Sequence, residues 1–414
     1  MIERILSKNV LHALAGFPVV YLNGPRQAGK STLVQTLARN EWPAEYVTFD
    51  EATLMGAAEA NPESFLRAYQ DRLILDEVQM VPGLFRVLKM LADEARLADK
   101  ANANGRYLLT GSANIMALPK LADALVGRMS ILTLYPLSAL EIMQGKGGFL
   151  ASLMNNRFKP QTVHRKTAVV DIIRRATFPE ITDEDDARRR QWFEGHITTI
   201  LQRDVRQIAD IAKLGVLPNL LKVLAGRVGG LVNESDIARA IGQNAVTAKN
   251  YRVLLQMMFL TFDVQPWYRN TSKRLVKSAK GYITDTALLC HLEKIDMAKS
   301  ELRDPHIFGR VFENFVATEL LKQLASNVDA AQLYHFRTSD GKEVDFVLER
   351  PDGRLAAIEV KGRDAVTAAD FKGLKELSAL TGDDFICGIV LYRGNKVVPF
   401  EHNMWAVPVD VMWA

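Results

Sequence analysis

The chain has 414 residues, enough for several domains of ordinary size. Its 52 Lys+Arg against 48 Asp+Glu give a net charge of +4, so a uniformly basic nucleic-acid coat is excluded and any such surface must be local. Two cysteines, Cys290 and Cys387, exclude a disulfide framework, and no apolar run reaches about 18 residues, so a cytoplasmic protein with no membrane partner is expected.

Residues 2–15 have apolar positions at helical spacing and predict an amphipathic helix packed on the domain that follows. Residues 18–23 (PVVYLN) read as a buried parallel strand. Gly24, Pro25, Arg26, Gln27, Ala28, Gly29, Lys30 and Ser31 then form a G-x-x-x-x-G-K-S loop, followed by Thr32 in a helix over 30–39. Glycines in such a loop let backbone N–H groups face phosphates. The lysine supplies a point charge for the β- and γ-phosphates, and the serine hydroxyl is placed for Mg2+. ATP and Mg2+ are the expected cofactors.

Leu73–Leu75 predicts a second buried strand, with Asp76 at its carboxyl end and Glu77 one residue further. Asp76 is expected to hold Mg2+ through water and Glu77 to polarise the attacking water. A third strand over 106–109 ends in small polar groups, and Thr110, Ser112 and Asn114 are all candidates for sensing the γ-phosphate. Arg128 reads either as a surface residue or as an arginine finger reaching a neighbouring copy, which implies a homo-oligomer.

A turn-rich break at 144–148 closes the first domain at residue 145. Residues 146–215 predict a helical linker, in which four acids at 183–186 precede three arginines at 188–190, a sign change suited to a helix dipole. In 216–295, Ser235 and Asp236 open a short helix, Gly242 breaks it, and a longer helix covers 244–258. A hairpin over 260–283 completes a winged-helix layout. Between Asn219 and Asp285 ten Lys/Arg face four Asp/Glu. That local excess suits a phosphate backbone, with Thr247, Lys249, Arg252, Lys273 and Arg274 as DNA contacts. A protein-interaction role for the same module stays open.

The last region, 296–414, predicts a helix carrying Glu313, a strand with Asp345, a Pro-Asp-Gly turn and a returning strand with Glu359 and Lys361. A helix glutamate, an aspartate and Glu-x-Lys make up the layout of a PD-(D/E)xK nuclease core. Asp345 and Glu359 are the expected metal ligands, Lys361 orients water and Glu313 completes the site. The competing reading is a cross-strand ion pair on a solvated sheet.

Taken together, the phosphate loop, Leu75-Asp76-Glu77, Leu109-Thr110-Gly111-Ser112, Phe178-Pro179-Glu180, Gln202-Arg203-Asp204-Val205, Tyr282-Ile283-Thr284-Asp285-Thr286, Phe312-Glu313-Asn314 and Ile358-Glu359-Val360-Lys361 give the chain its likeness. It resembles, over nearly its full length, the bacterial and archaeal AAA-like ATPases whose C-terminal half is a domain of unknown function. It departs from them at Thr177-Phe178-Pro179, where Gly-Gly-Tyr/Phe-Pro is common. The resemblance implies an α/β P-loop NTPase of the additional-strand class with a parallel sheet, a winged helix and a restriction-endonuclease-like C-terminal domain. The expected function is ATP-dependent binding and remodelling of DNA, with metal-dependent cleavage as a further activity. The alternative is an ATP-gated partner-binding switch of the STAND type with an inactive C-terminal domain.

Overall fold

The computed structural model describes residues 2–99, 103–112, 127–164, 167–205, 214–269, 278–297, 304–327 and 331–414. The candidates Asn114, Lys273 and Arg274 lie outside the described residues. The chain divides into two compact units, one built on 1–136 and one on most of 137–414. The three segments that the sequence sets apart beyond residue 145 therefore fall in one unit.

In the first unit, five parallel strands run β1 (Val19–Asn23), β2 (Glu45–Thr48), β3 (Leu73–Asp76), β4 (Tyr107–Gly111) and β5 (Met129–Thr133). Their order is β2-β3-β4-β1-β5, so β4 lies between the strand leading into the phosphate loop and the strand ending in Asp76. The three middle strands β1, β3 and β4 are apolar and buried up to their last one or two residues, because both faces are covered. Val19, Tyr21, Leu73, Leu75, Tyr107 and Leu109 pack one way, against the helix Leu84–Ala98. Their neighbours Val20, Leu22, Ile74 and Leu108 pack the other way, against the helices Ser7–Gly16 and Lys30–Arg39.

The second unit holds a nine-stranded sheet. In chain order its strands are β6 (Gln161–Thr162), β7 (Thr261–Pro266), β8 (Lys280–Ile283), β9 (Gln332–Arg337), β10 (Glu343–Glu349), β11 (Leu355–Lys361), β12 (Phe385–Tyr392), β13 (Lys396–Glu401) and β14 (Met404–Pro408). Their spatial order is β6-β13-β14-β12-β11-β10-β9-β7-β8. The hairpin β7–β8 is antiparallel, with Val264 opposite Lys280, and it joins the other strands where Gln265 and Pro266 pair with Tyr334 and His335 of β9. The sequence reads 149–215 as helical. Instead Gln161 and Thr162, just after Pro160, pair with Val397 and Lys396. Pro160 cannot continue a helix from the residues before it, which leaves the next residues to pair as an edge.

Upstream of the hairpin come the helices Leu217–Ala225, Glu234–Ala240 and Ala245–Met257, with a single bridge from Leu231 to Lys280 between the first two. The second of these helices starts at Glu234, and within the capping stretch Asn233 is the N-cap: its carboxamide oxygen accepts from the backbone N–H groups of Ser235 and Asp236. Asp185 caps the helix Asp186–Thr199 in the same way, through Ala187 and Arg188.

The helix Pro305–Ala325 is buried along most of its length, and its buried residues include the polar Asn314, Thr318, Glu319, Lys322 and Gln323. Its buried Asn314 accepts from Ile283 N at 2.9 Å and donates to Ile283 O at 3.1 Å, completing the backbone bonds at the end of β8. Asp285 caps the helix Thr286–Glu293 through Leu288 N and also accepts from Thr177 N at 2.9 Å. The Thr177 hydroxyl bonds the same carboxylate. Thr177 is not among the positive-φ residues, so the backbone there makes no demand for glycine.

Gly373 is the tightest of the helix–strand contacts in this unit. A Cβ there would come within 1.9 Å of Glu343 O on β10. Gly195 sits in an exposed helix with nothing within 4 Å of an added Cβ. Gly373→Ala should therefore lower the stability of the second unit by about 1–3 kcal/mol. Gly195→Ala should raise it by about 0.5–1 kcal/mol. Urea denaturation of the two variants checks the opposite signs.

Candidate functional site

The first site forms at the carboxyl ends of β1, β3 and β4. Gly24 leaves β1 with φ +149°, and a Cβ there would lie 2.1 Å from Leu134 O, so the turn into the loop requires glycine. Gln27 (φ 61°) and Gly29 (φ 93°) complete the turn into the helix Lys30–Arg39. That helix end points its unsatisfied N–H groups and the positive end of its dipole into the loop. Arg4 braces the loop from outside, donating to Ala28 O at 2.8 Å and to Tyr135 O at 2.6 Å. Pro25 and Ala28 are buried, Arg26 is half-buried, and Gln27 and Thr32 face solvent.

Lys30 is buried and its ammonium donates to Gly24 O at 3.0 Å and Pro25 O at 2.9 Å, across the loop's own turn. Ser31 Oγ donates to Asp76 at 3.0 and 3.1 Å. Tyr46 OH donates to the same carboxylate at 2.6 Å, and Thr110 Oγ1 also bonds it. Burial and then the bond to Asp76 push the Tyr46 phenol up to about 12, so it remains a donor. Three hydroxyls thus surround Asp76.

Glu77 adopts a left-handed backbone (φ 57°), which turns its side chain away from the direction of Asp76. Its N–H donates to Thr110 Oγ1 at 3.2 Å. Gln79 holds the Glu77 carboxylate through its amide nitrogen and reaches Ser112 Oγ at 3.1 Å. Burial, followed by the nearby Glu77 charge, raises the Tyr21 phenol well above its usual range. Of the two sensor candidates among the described residues, Thr110 is the one that bonds both Asp76 and Glu77. Tyr46 and Gln79 escaped the sequence reading, although Gln79 lies only two positions from Glu77.

Arg128 immediately precedes β5, and its carbonyl accepts from Val19 N at the start of β1. It therefore lies at the end of the sheet opposite the phosphate loop of its own chain. Its guanidinium pairs with Asp93 at 2.8 Å.

Of the expected DNA contacts, Thr247 and Lys249 lie in the first two turns of the helix Ala245–Met257, where Asn244 caps Thr247 N at 2.8 Å and Lys249 is exposed. Arg252 needs correction as a phosphate contact. It is only 9 % exposed and its guanidinium is spent on Glu234, at 2.6 Å, and on Asp263. Three of its five N–H groups go to these two carboxylates, and the buried side chain is not presented to a phosphate outside.

The second cluster gathers Glu313, Asp345, Glu359 and Lys361, as their spacing suggests, but around a lysine that the sequence reading counted only among the basic charges of 219–285. Lys280, on β8 and 2 % exposed, places its ammonium 3.1 Å from Glu313 Oε1 and 3.0 Å from Asp345 Oδ1, with Glu343 as a third partner. Tyr282, two residues on and so on the same strand face, donates to Glu313 Oε1 at 2.8 Å. Asp345 Oδ2 accepts from Val360 N at 2.9 Å, and Lys361 pairs with Glu359 at 2.7 Å. Burial pulls the Lys280 ammonium towards neutrality, but Asp345, Glu313 and Glu343 outweigh it and hold its pKa above the usual lysine value. Burial first, then the Asp345 charge, pushes Glu313 up to about 7 and Glu359 up to about 8.

Three family models match successive parts of the chain. Residues 16–143 match the family model described as AAA domain. The segment with the parallel sheet and the phosphate loop is thus similar to the AAA-like P-loop ATPases. Beyond it, residues 166–299 and 308–412 match two models, each described as a domain of unknown function (DUF8612 and DUF4143). An uncharacterized protein of Mycobacterium tuberculosis is 29% identical over 409 residues, covering 99% of this chain and 84% of the relative. An uncharacterized protein of Haemophilus influenzae is 23% identical, with 84% of each chain covered. Among solved structures, the Walker-type ATPase of Pyrococcus abyssi aligns over 71% of this chain and 96% of its own at 14% identity. Its TM-score of 0.42 is too loose to bear on function. Among the described residues no helix is long and apolar enough to cross a membrane.

The raised carboxyls outside the ATPase domain have a sign that can be tested. Glu313 and Glu359, at about 7 and about 8 in the folded chain, keep protons that an unfolded carboxyl releases near about 4.3. Their stabilising effect is thus full below about pH 4 and is lost as pH rises through about 7 and about 8. Glu359→Gln removes one of these titrations, so stability should fall less between about pH 5 and about pH 8 than in the parent. Of the five tryptophans only Trp42 lies in the first unit, so urea unfolding of the Trp42→Phe chain followed by fluorescence reads the second unit alone.

Proposed function

We propose that this chain is a Mg2+-dependent ATPase whose second unit carries a winged helix for duplex DNA. The observation that supports ATP hydrolysis is the contact of Ser31 with Asp76, with Glu77 set one residue beyond on a separately held carboxylate. An oxygen-only donor set of one hydroxyl and one carboxylate fits Mg2+, which prefers few protein ligands and retains water. When bound there, Mg2+ neutralises charge on the β- and γ-phosphates.

The chain's own groups do the rest. The loop N–H groups from Gly24 to Lys30 cradle the phosphates, and the Lys30 ammonium exchanges its two carbonyls for phosphate oxygens. Glu77 accepts the proton of the attacking water. Gln79 holds that carboxylate, and Thr110 Oγ1 ties the Glu77 backbone N–H to the Asp76 carboxylate. Arg128 belongs to this reading only as a group offered to the site of another copy, after release from Asp93.

The winged-helix reading is supported by the order helix, bridge, helix, helix, hairpin, in which the third helix presents Lys249 and Asn250 to solvent. A second reading, a nucleotide-gated protein-binding switch, draws on the same helix. Val246 and Val253, 71 % and 37 % exposed, share the outward face with Lys249, while Arg252 is buried. The nuclease-like reading is supported by the order helix, three strands, helix, strand, from Pro305 to Tyr392.

Turnover of ATP by the full chain should fall at least about 10²-fold in Glu77→Gln. In Lys30→Ala it should be lost. Duplex DNA should stimulate the parent, and binding should weaken steeply with salt. Lys249→Glu should remove that stimulation and leave basal turnover unchanged. Turnover indifferent to every DNA form, with no salt-sensitive binding, would favour the protein-partner reading.

A further inference from the structure

The carboxylate cluster of the second unit already contains a cation. An ammonium has three donors and no acceptor. Lys280 directs its own at Glu313, Glu343 and Asp345, so every donor has a carboxylate partner. The backbone around it is tied down: Lys280 pairs with Val264 on β7 and with Leu231, and the strand ends at Ile283, which Asn314 clamps from both sides. The side chain is 2 % exposed, so it has no solvent position to move to without opening the hairpin.

Asp345 Oδ1 and Oδ2, Glu313 Oε1 and Glu359 Oε1 already accept from the chain's own donors, while Glu359 Oε2 is buried without a hydrogen-bond partner. Asp345 gives Oδ1 to Lys280 and Oδ2 to Val360 N. Glu313 Oε1 accepts from both Lys280 and Tyr282. Glu359 is turned to Lys361. A metal in a nuclease-like fold binds through oxygen lone pairs directed at one point. Among the described residues no three such side chains converge in that way. The residues present therefore do not fit the metal that this layout suggests.

We infer that the Lys280 ammonium is the resident counter-ion of this cluster, standing where a nuclease-like site would hold its metal. The cluster is a latch between the hairpin and the C-terminal strands and does not bind a divalent ion. Lys280 reaches from β8 to the helix Pro305–Ala325 and to β10, neither of which is a ladder neighbour of β8. The backbone link between hairpin and C-terminal strands is short, two residue pairs from β7 to β9. The ion pairs supply the fixation that the ladder lacks. This inference does not depend on ATP turnover or on DNA.

Mn2+ binding read by electron paramagnetic resonance tests it, using the full chain with Asp76→Asn so that the phosphate site does not contribute. The expected result is no saturable Mn2+ binding in that chain, and the gain of one site when Lys280→Ala is added. The gained site should disappear again with Asp345→Asn. Saturable binding in the Asp76→Asn chain that is lost with Asp345→Asn would overturn the inference, because the cluster would then hold a metal despite its lysine. A folded Lys280→Ala chain that gains no Mn2+ would also overturn it, by separating the ammonium position from a metal position. Should Lys280→Ala fail to fold, the comparison of Asp76→Asn with and without Asp345→Asn still decides: no binding in either supports the latch. Failure of the ATPase assignment leaves all of these readings unchanged.

Discussion

A single buried ammonium organises the larger of the two units. Lys280 brings a hairpin, a long helix and the first C-terminal strands to one point, and a charge with 2 % exposure is tolerated only because three carboxylates surround it. Removing one partner of such a group leaves the others buried and uncompensated, which is why clusters of this kind specify one arrangement more strongly than they stabilise it. The neighbouring joints are of the same type. Asn314 completes the end of β8, Asp285 accepts from Thr177, and Glu319 accepts from Ala139 N at 2.9 Å. Polar residues at these points bind backbone groups that the sheet and helices cannot satisfy themselves.

The AAA-like domain uses the opposite device. Its three middle strands pack apolar side chains on both faces. Their polar groups sit at the carboxyl ends, where a parallel sheet exposes its loops. Inserting β4 between β1 and β3 puts Thr110 beside Asp76 and Glu77, so the strand order itself builds the contact between the two acidic residues and their neighbour.

The phosphate site was legible in the sequence because its chemistry is local. Eight consecutive residues form the loop, and Asp76 and Glu77 end one apolar strand. The limits of the helix over 30–39 and of β11 over 355–361 were legible for the same reason. Arg252 and Lys280 were misread together, as free basic charges. Their partners lie 11 and 18 residues away for Arg252, and 33 to 65 residues away for Lys280, where no periodicity reaches. The alternation of Lys280 and Tyr282 on one strand was visible, but only the fold shows that both face Glu313. Gln161–Thr162 was illegible for another reason, since a two-residue edge strand carries too little pattern to register.

Lys30 illustrates what a self-satisfied side chain does for binding. Its ammonium spans the carbonyls of Gly24 and Pro25, and Arg4 holds Ala28 O from the other side. The turn is therefore kept in shape by the lysine that later serves the ligand. In the proposed ATPase, a nucleotide would exchange partners at one cation in a loop that is already shaped, so the entropy of forming the turn is spent in folding and not in binding.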